Sequence, residues 1–145
     1  MITFRLARQT DAAACAVIEQ TQPRAAGWGA SGFASEITQT CAVIWCAFDG
    51  GKAVGFVSAR AVQDSAEIVN VAVVPDYTRR GIGKQLLAQV LSDLATRGVK
   101  RVTLEVAQDN VPAQKLYAQA GFVQAGVRKN FYGPGCDGLL LGKDL

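Results

Sequence analysis

From Asn70 to Lys84 the chain reads as an apolar β-branched run, a stop at Pro75, a basic turn with two glycines, and the lead into a helix at Gln85-Leu86-Leu87. Val71 to Val74 is apolar without alternation, as a strand covered on both faces must be. Gly81 and Gly83 let the backbone bend sharply and approach a ligand closely. The helix that follows offers unpaired amides and the positive end of its dipole. Arg79, Arg80 and Lys84 add full charges there. A strand feeding such a turn demands a sheet with a helix packed back over it, and the turn reads as a cradle for a diphosphate. A solvated basic turn ahead of an ordinary helix is the other reading of the same residues. The pattern lacks the Gly-x-x-x-x-Gly-Lys-Ser/Thr of a triphosphatase loop, and Leu86 stands where a dinucleotide fold needs its third glycine.

At 145 residues the chain is expected to form one domain, residues 1–145, large enough to stabilise itself without staples. It contains no histidine, which removes Ser-His-Asp and Cys-His catalysis and the common zinc sites, so no metal centre is expected. Proton transfer then falls to Glu, Asp, Tyr, Cys, Lys or water. The formal charge of +3 is too small to argue for nucleic-acid binding. No run approaches the length of a membrane span, and charge interrupts the N-terminal residues, so neither a membrane association nor a secretory signal is expected. Cys15, Cys41, Cys46 and Cys136 have no motif spacing and read as reduced packing residues of a cytoplasmic protein.

Seven runs read as strands: 2–6, 42–48, 53–62, 66–74, 101–106, 122–127 and 139–145. Asp49-Gly50-Gly51-Lys52 between two of them is a hairpin signal. Thr10-Asp11 is expected to cap a helix with Ala13, Ala14, Val17 and Ile18 on its buried face. Residues 22–31 read as a loop around Trp28, followed by a short helix over 33–40. Leu86, Leu87, Val90, Leu91 and Leu94 recur at helical spacing up to Gly98. A fourth helix spans 111–120, with Pro112 in its first turn and Gly121 as its stop. The expected fold is an α/β (α+β) sandwich with a mixed, mostly antiparallel twisted sheet of about 6–7 strands flanked by about 4 helices.

Asn-Val-Ala-Val-x-Pro-x-Tyr-x-Arg-Arg-Gly-Ile-Gly-Lys-x-Leu-Leu, then Leu104-Glu105-Val106, then Asn110-x-x-Ala113-x-x-Leu116-Tyr117-x-x-x-Gly121-Phe122 together resemble the GNAT superfamily of acetyl-CoA-dependent N-acetyltransferases. With Arg128-Lys129-Asn130-Phe131-Tyr132, they are similar within it to the RimI type, which acetylates the N-terminal alanine of a small-subunit ribosomal protein. The resemblance implies the acyl-CoA N-acyltransferase fold and acetyl-CoA as cosubstrate. It implies that the diphosphate rests on the amides of Arg79, Arg80, Gly81, Ile82, Gly83 and Lys84, and that the pantetheine arm lies along Val71, Ala72 and Val73. A peptide-like arm can add to an unpaired strand edge as a pseudo-strand. Asn110 reads locally as a helix cap, and the resemblance adds contact with the same arm.

Glu105 shares one strand face with Thr103, opposite Val102, Leu104 and Val106. A carboxylate there must be paired with a cation such as Arg101, or face a water-filled cleft. The resemblance makes Glu105 the general base and Tyr117, by spacing a core aromatic, the general acid. Near neutral pH, freeing an α-amine of pKa about 7.8 costs ~1 kcal/mol, against ~4.6 kcal/mol for a lysine at about 10.4, so an N-terminal acceptor suits a single Glu acting through water. Trp28, Asn130 and Tyr132 lie in glycine-containing loops expected on the acceptor side; for Trp28 an aromatic plug at the sandwich end is the alternative. A small-molecule amine as acceptor, or a non-catalytic acetyl-CoA-binding regulatory domain, are the competing functions.

Overall fold

The computed structural model describes residues 1–22 and 26–145; part of the expected loop over 22–31, including Pro23, lies outside the described residues. Seven strands form one sheet: β1 (Ile2–Leu6), β2 (Ala42–Asp49), β3 (Lys52–Val62), β4 (Ser65–Val73), β5 (Arg101–Ala107), β6 (Val123–Arg128) and β7 (Gly138–Asp144). Among the described residues, four α-helices accompany them: α1 (Ala12–Glu19), α2 (Gly29–Ile37), α3 (Ile82–Thr96) and α4 (Val111–Gln119). The sheet order is β1-β2-β3-β4-β5-β7-β6, antiparallel except between β4 and β5, where α3 makes the crossover. The hairpin at Gly50-Gly51 closes β2 on β3 with Asp49 opposite Lys52.

The stripe Leu86, Leu87, Val90, Leu91 and Leu94 of α3 packs on one face of the sheet with Val57, Val102, Leu104 and Val106 and with Tyr117 of α4. A second core on the opposite face joins Cys15, Ile18 and Phe33 of α1 and α2 to Cys46, Phe56 and Ala72. The α1 face differs from expectation. Ala12, Cys15, Ala16 and Glu19 turn inward with Ile18, while Val17 is 63% exposed. Asp11 stands at the N-cap of α1 as expected but makes no side-chain capping bond to it; its carboxylate turns back to accept from the Arg8 amide at 2.7 Å and pairs with the Arg5 guanidinium at 2.8 Å. Helix α2 starts at Gly29, four residues ahead of the expected Phe33, and stops at Ile37.

The pairing of β4 with β5 is short. Only Ser65–Glu67 and Arg101–Thr103 form rungs, after which the two parallel strands part. The divergence begins at a bulge: Ser58 of β3 pairs with Asn70 and Ala59 with Ile68, leaving Val69 as the extra residue. The inserted residue reverses the alternation. Ala66 and Ile68 face the α3 side before it; Val71 and Val73 do so after it, while Ala72 joins the other core. A bulge bends its strand and increases local twist, which turns the end of β4 away from β5.

Candidate active site

Where β4 and β5 part, a cleft of about 940 Å³ opens. Its walls are Ile68–Val71 of β4 and Leu104–Ala107 of β5, with Asn110, Ala113 and Tyr117 of α4 above and Phe131 and Tyr132 of the β6–β7 loop beside them. Val74 donates its amide to Val54 O at 2.9 Å, so by the alternation of an antiparallel ladder the peptide groups of Val71 and Val73 point the other way, into the gap. Gln22 Nε2 reaches Val73 O from that side at 3.2 Å. Beyond the three rungs, this edge of β4 thus faces the cleft without a partner strand among the described residues.

Beyond β4 a 3-10 turn, Pro75–Tyr77, leads to the glycine turn. Helix α3 begins at Ile82, three residues earlier than the expected opening at Gln85, because Ile82 is itself buried in the core. Gly81 adopts φ 76°, and Arg79 holds a left-handed φ of 64°. The Gln85 amide donates to Gly81 O at 3.0 Å, so the amides of Ile82, Gly83 and Lys84 have no carbonyl one turn back. Arg79, Arg80 and Lys84 are exposed around them. The Arg80 guanidinium lies 4.7 Å above the Tyr77 ring, whose hydroxyl donates to Asp49 Oδ2 at 2.6 Å. An ideal Cβ on Gly83 would stand 3.5 Å from Leu116 and 4.0 Å from Val73, so the turn abuts both the end of β4 and helix α4.

Glu105 satisfies both conditions set for a carboxylate on a covered sheet. It lines the cleft, and Oε1 accepts from Arg128 Nε at 2.8 Å; the partner is Arg128 of β6, while Arg101 pairs with Asp144. Tyr117 lines the same cleft, 8% exposed, with its ring edge-on to Phe122 at 5.9 Å. Burial, with Tyr132 adding a smaller push, raises its hydroxyl to about 12, above the value near ~10 that would match a departing thiolate. Asn110 caps α4 as its local sequence predicts, its Oδ1 accepting from the Ala113 amide at 3.3 Å, and the residue borders the cleft.

Trp28 and Asn130 are not among the residues lining the cleft. Trp28 packs edge-on against Phe33 at 5.1 Å beneath Arg60, the plug of the alternative reading. Asn130 organises the β6–β7 loop: its amide donates to Asp137 Oδ1 at 2.9 Å, and its own Oδ1 accepts from the Gly135 amide at 2.9 Å. The folded loop delivers Phe131 and Tyr132 to the cleft. Gly138 makes room for this, since a Cβ there would sit 3.2 Å from Phe131 Cβ. Cys15 and Cys46 face each other in the α1 core with sulfurs 3.7 Å apart. The Cys15 contact and burial both push the Cys46 thiol up, which leaves it unreactive. A smaller cavity, about 590 Å³, between α1 and Pro75–Tyr77 carries none of the expected site residues. Among the described residues no helix is long and apolar enough to cross a membrane.

Comparison with known proteins agrees with this geometry. The profile of the Acetyltransferase (GNAT) family matches residues 12–122. The [Ribosomal protein bS18]-alanine N-acetyltransferase of Escherichia coli K12 is 42% identical over 88 residues, 61% of this chain and 59% of that protein, so the chain spans under two thirds of the curated relatives it matches. The crystal structure of the ribosomal-protein-S18-alanine N-acetyltransferase from Escherichia coli superposes with a TM-score of 0.90 at 32% identity, over 99% of this chain and 94% of that one. An N-acetyltransferase from Thermoplasma acidophilum, solved in complex with coenzyme A, shares the fold with a TM-score of 0.86 at 18% identity, over 100% of this chain and 99% of that one. A bulged strand splaying from its neighbour, a basic glycine turn at its end and a family profile spanning both cores lead to one assignment: the chain belongs to the GNAT family of N-acetyltransferases.

Proposed function

We propose that the chain transfers the acetyl group of acetyl-CoA directly to the N-terminal α-amine of a protein, with the alanine N-terminus of ribosomal protein bS18 as the leading acceptor, in the cytoplasm. The observation that carries the transfer is the splay of β4 from β5, because it sets a strand edge released from its neighbouring strand, a carboxylate and a phenol around one cleft. The acceptor rests on likeness over nearly the whole chain to an enzyme that acts on that ribosomal protein.

In this reading the amides of Arg79 to Lys84 hold the diphosphate, and the outward peptide groups of Val71 and Val73 hold the pantetheine arm. Ala72 keeps its side chain in the α1 core and contributes backbone only. Asn110 borders the arm from the start of α4, and Tyr132 borders the acceptor. Glu105, with water between, takes the proton that the acceptor ammonium must lose. The freed lone pair forms the C–N bond, and the amide of Val73 steadies the oxyanion. As the C–S bond breaks, Tyr117 gives its proton to sulfur and recovers one from the nitrogen. A phenol raised to about 12 is fully protonated at neutral pH, so the proton is in place when needed. Its handover to sulfur is less balanced than a match near ~10 would make it, and recapture of the amine's proton completes it.

The experiment is an acetylation screen by mass spectrometry with acetyl-CoA against peptides with N-terminal Ala, Ser and Met, beside lysine side chains and small amines. Labelling of the alanine peptide is the expected result, with Glu105→Gln lowering kcat/KM about 10²-fold or more at unchanged CoA affinity. Labelling confined to small amines replaces the acceptor, and full activity of Glu105→Gln relocates the base.

A further inference from the structure

The last rung between β4 and β5 pairs Glu67 with Thr103, and both side chains alternate with residues of the α3-side core, so they share the opposite face. The next side chain on that face of β5 is Glu105. On β4 the bulge at Val69 delays the alternation by one, so the next is Asn70. Asn70 and Glu105 therefore flank the opening of the splay from its two walls, and both line the cleft.

The orientation of the Asn70 amide is fixed from behind. Its Nδ2 donates to Glu19 Oε2 at 2.8 Å, and Glu19, 2% exposed at the end of α1, accepts through Oε1 from the Gly29 amide at 3.3 Å. A carboxylate offers acceptors only, so it takes the NH2 end of the amide and leaves Oδ1 on the other side. Among the described residues, this is the one side-chain hydrogen bond of Asn70. An amine attacking a thioester aims its lone pair at the carbonyl carbon, and each N–H then needs an acceptor elsewhere. The route to Glu105 supplies one.

We infer that Asn70 supplies the second: its Oδ1 accepts from the attacking nitrogen and orients the lone pair, while Glu19 is a positioning residue that decides which end of the amide faces the cleft. The inference rests on the reading that the acceptor amine enters this cleft beside Glu105, and it adds the residues that aim it.

The test uses the full chain, acetyl-CoA and the acceptor peptide labelled best by the wild type. Asn70→Ala is expected to lower kcat/KM for the peptide about tenfold, the loss of one hydrogen bond, with the KM for acetyl-CoA and the Kd of CoA within about twofold. Glu19→Gln keeps Oε1 on the Gly29 amide and turns an NH2 toward residue 70, so Asn70 flips, shows its own NH2 to the amine, and the peptide loses about tenfold again. Adding Asn70→Asp to Glu19→Gln restores a donor behind and an oxygen in front, and is expected to recover activity to within about threefold of wild type. A merely structural role predicts no such recovery. Asn70→Ser repeats the first arm should the alanine variant not fold. An active wild type whose Asn70 variants keep peptide kcat/KM, or a double variant no better than Glu19→Gln, overturns this inference alone. A wild type that labels no amine overturns the underlying reading and this inference with it.

Discussion

At Tyr117, burial acts on the atom to which the proposed reaction assigns proton transfer. The ring packs in the α3-side core against Phe122, and the environment that positions it also lifts its ionisation to about 12. In the unfolded chain a phenol ionises near ~10. Below that value both states keep the proton. Between ~10 and 12 the unfolded chain releases a proton that the folded chain retains, so stability falls as pH rises through this window. Two units correspond to ~2.7 kcal/mol. Urea unfolding across that pH range should show a loss of about 2–3 kcal/mol in wild type beyond that of Tyr117→Phe, which lacks the ionisable group. Equal losses in the two proteins would mean that Tyr117 is solvated. The same sign governs activity: a Tyr117 acid gives no alkaline limb in kcat below about pH 11, whereas a phenol near ~10 would begin to fail there.

Strand β4 and the turn after it carry most of what was readable. The apolar run, the glycines and the cations are local signals, and the turn they announce is formed. The bulge at Val69 was not readable. A strand covered on both faces shows no alternation, so nothing in Ile68-Val69-Asn70-Val71 marks the residue where the phase slips. Nothing local marks Glu19 either, a charged residue at the end of a short helix that tertiary packing buries against Asn70. The inward face of α1 was misread because Ala and Val are small enough to sit on either side. Trp28 and Asn130 were legible as loop residues, but which of them would reach the cleft depends on the path of each loop. At the turn, the demand is on backbone conformation. Gly81 has φ 76° with nothing within 4 Å of an ideal Cβ, so Gly81→Ala meets torsional strain alone, ~1–2 kcal/mol. Gly83→Ala makes ordinary contact with Leu116 at 3.5 Å. Calorimetry should therefore find CoA affinity reduced about tenfold by Gly81→Ala and far less by Gly83→Ala; the reverse order would place the critical bend at the second glycine.

At the scale of the molecule, the sheet is continuous from β1 to β4 and from β5 to β6, and three rungs join the two parts. Helices α3 and α4 cover the seam from one side, and the cleft opens along the rest of it. In the proposed reading, a ligand laid in that gap adds strand-like bonds across the least-paired line of the sheet, while its diphosphate meets Arg79, Arg80, Lys84 and the amides between them. Binding to the folded state alone stabilises by about 2.7 kcal/mol at a hundredfold excess over Kd, which for a chain of this size raises Tm by roughly 5–11 °C. CoA should produce such a shift, and 0.5 M salt should shrink it, because the three side chains are exposed and screened within about a Debye length. Pantetheine has the peptide-like arm but no diphosphate, and at equal concentration it should shift Tm by only a small part of this. If pantetheine and CoA stabilise equally, the strand edge does the holding and the glycine turn is an ordinary helix start; if only CoA stabilises and salt removes the effect, the grip lies between Arg79 and Lys84.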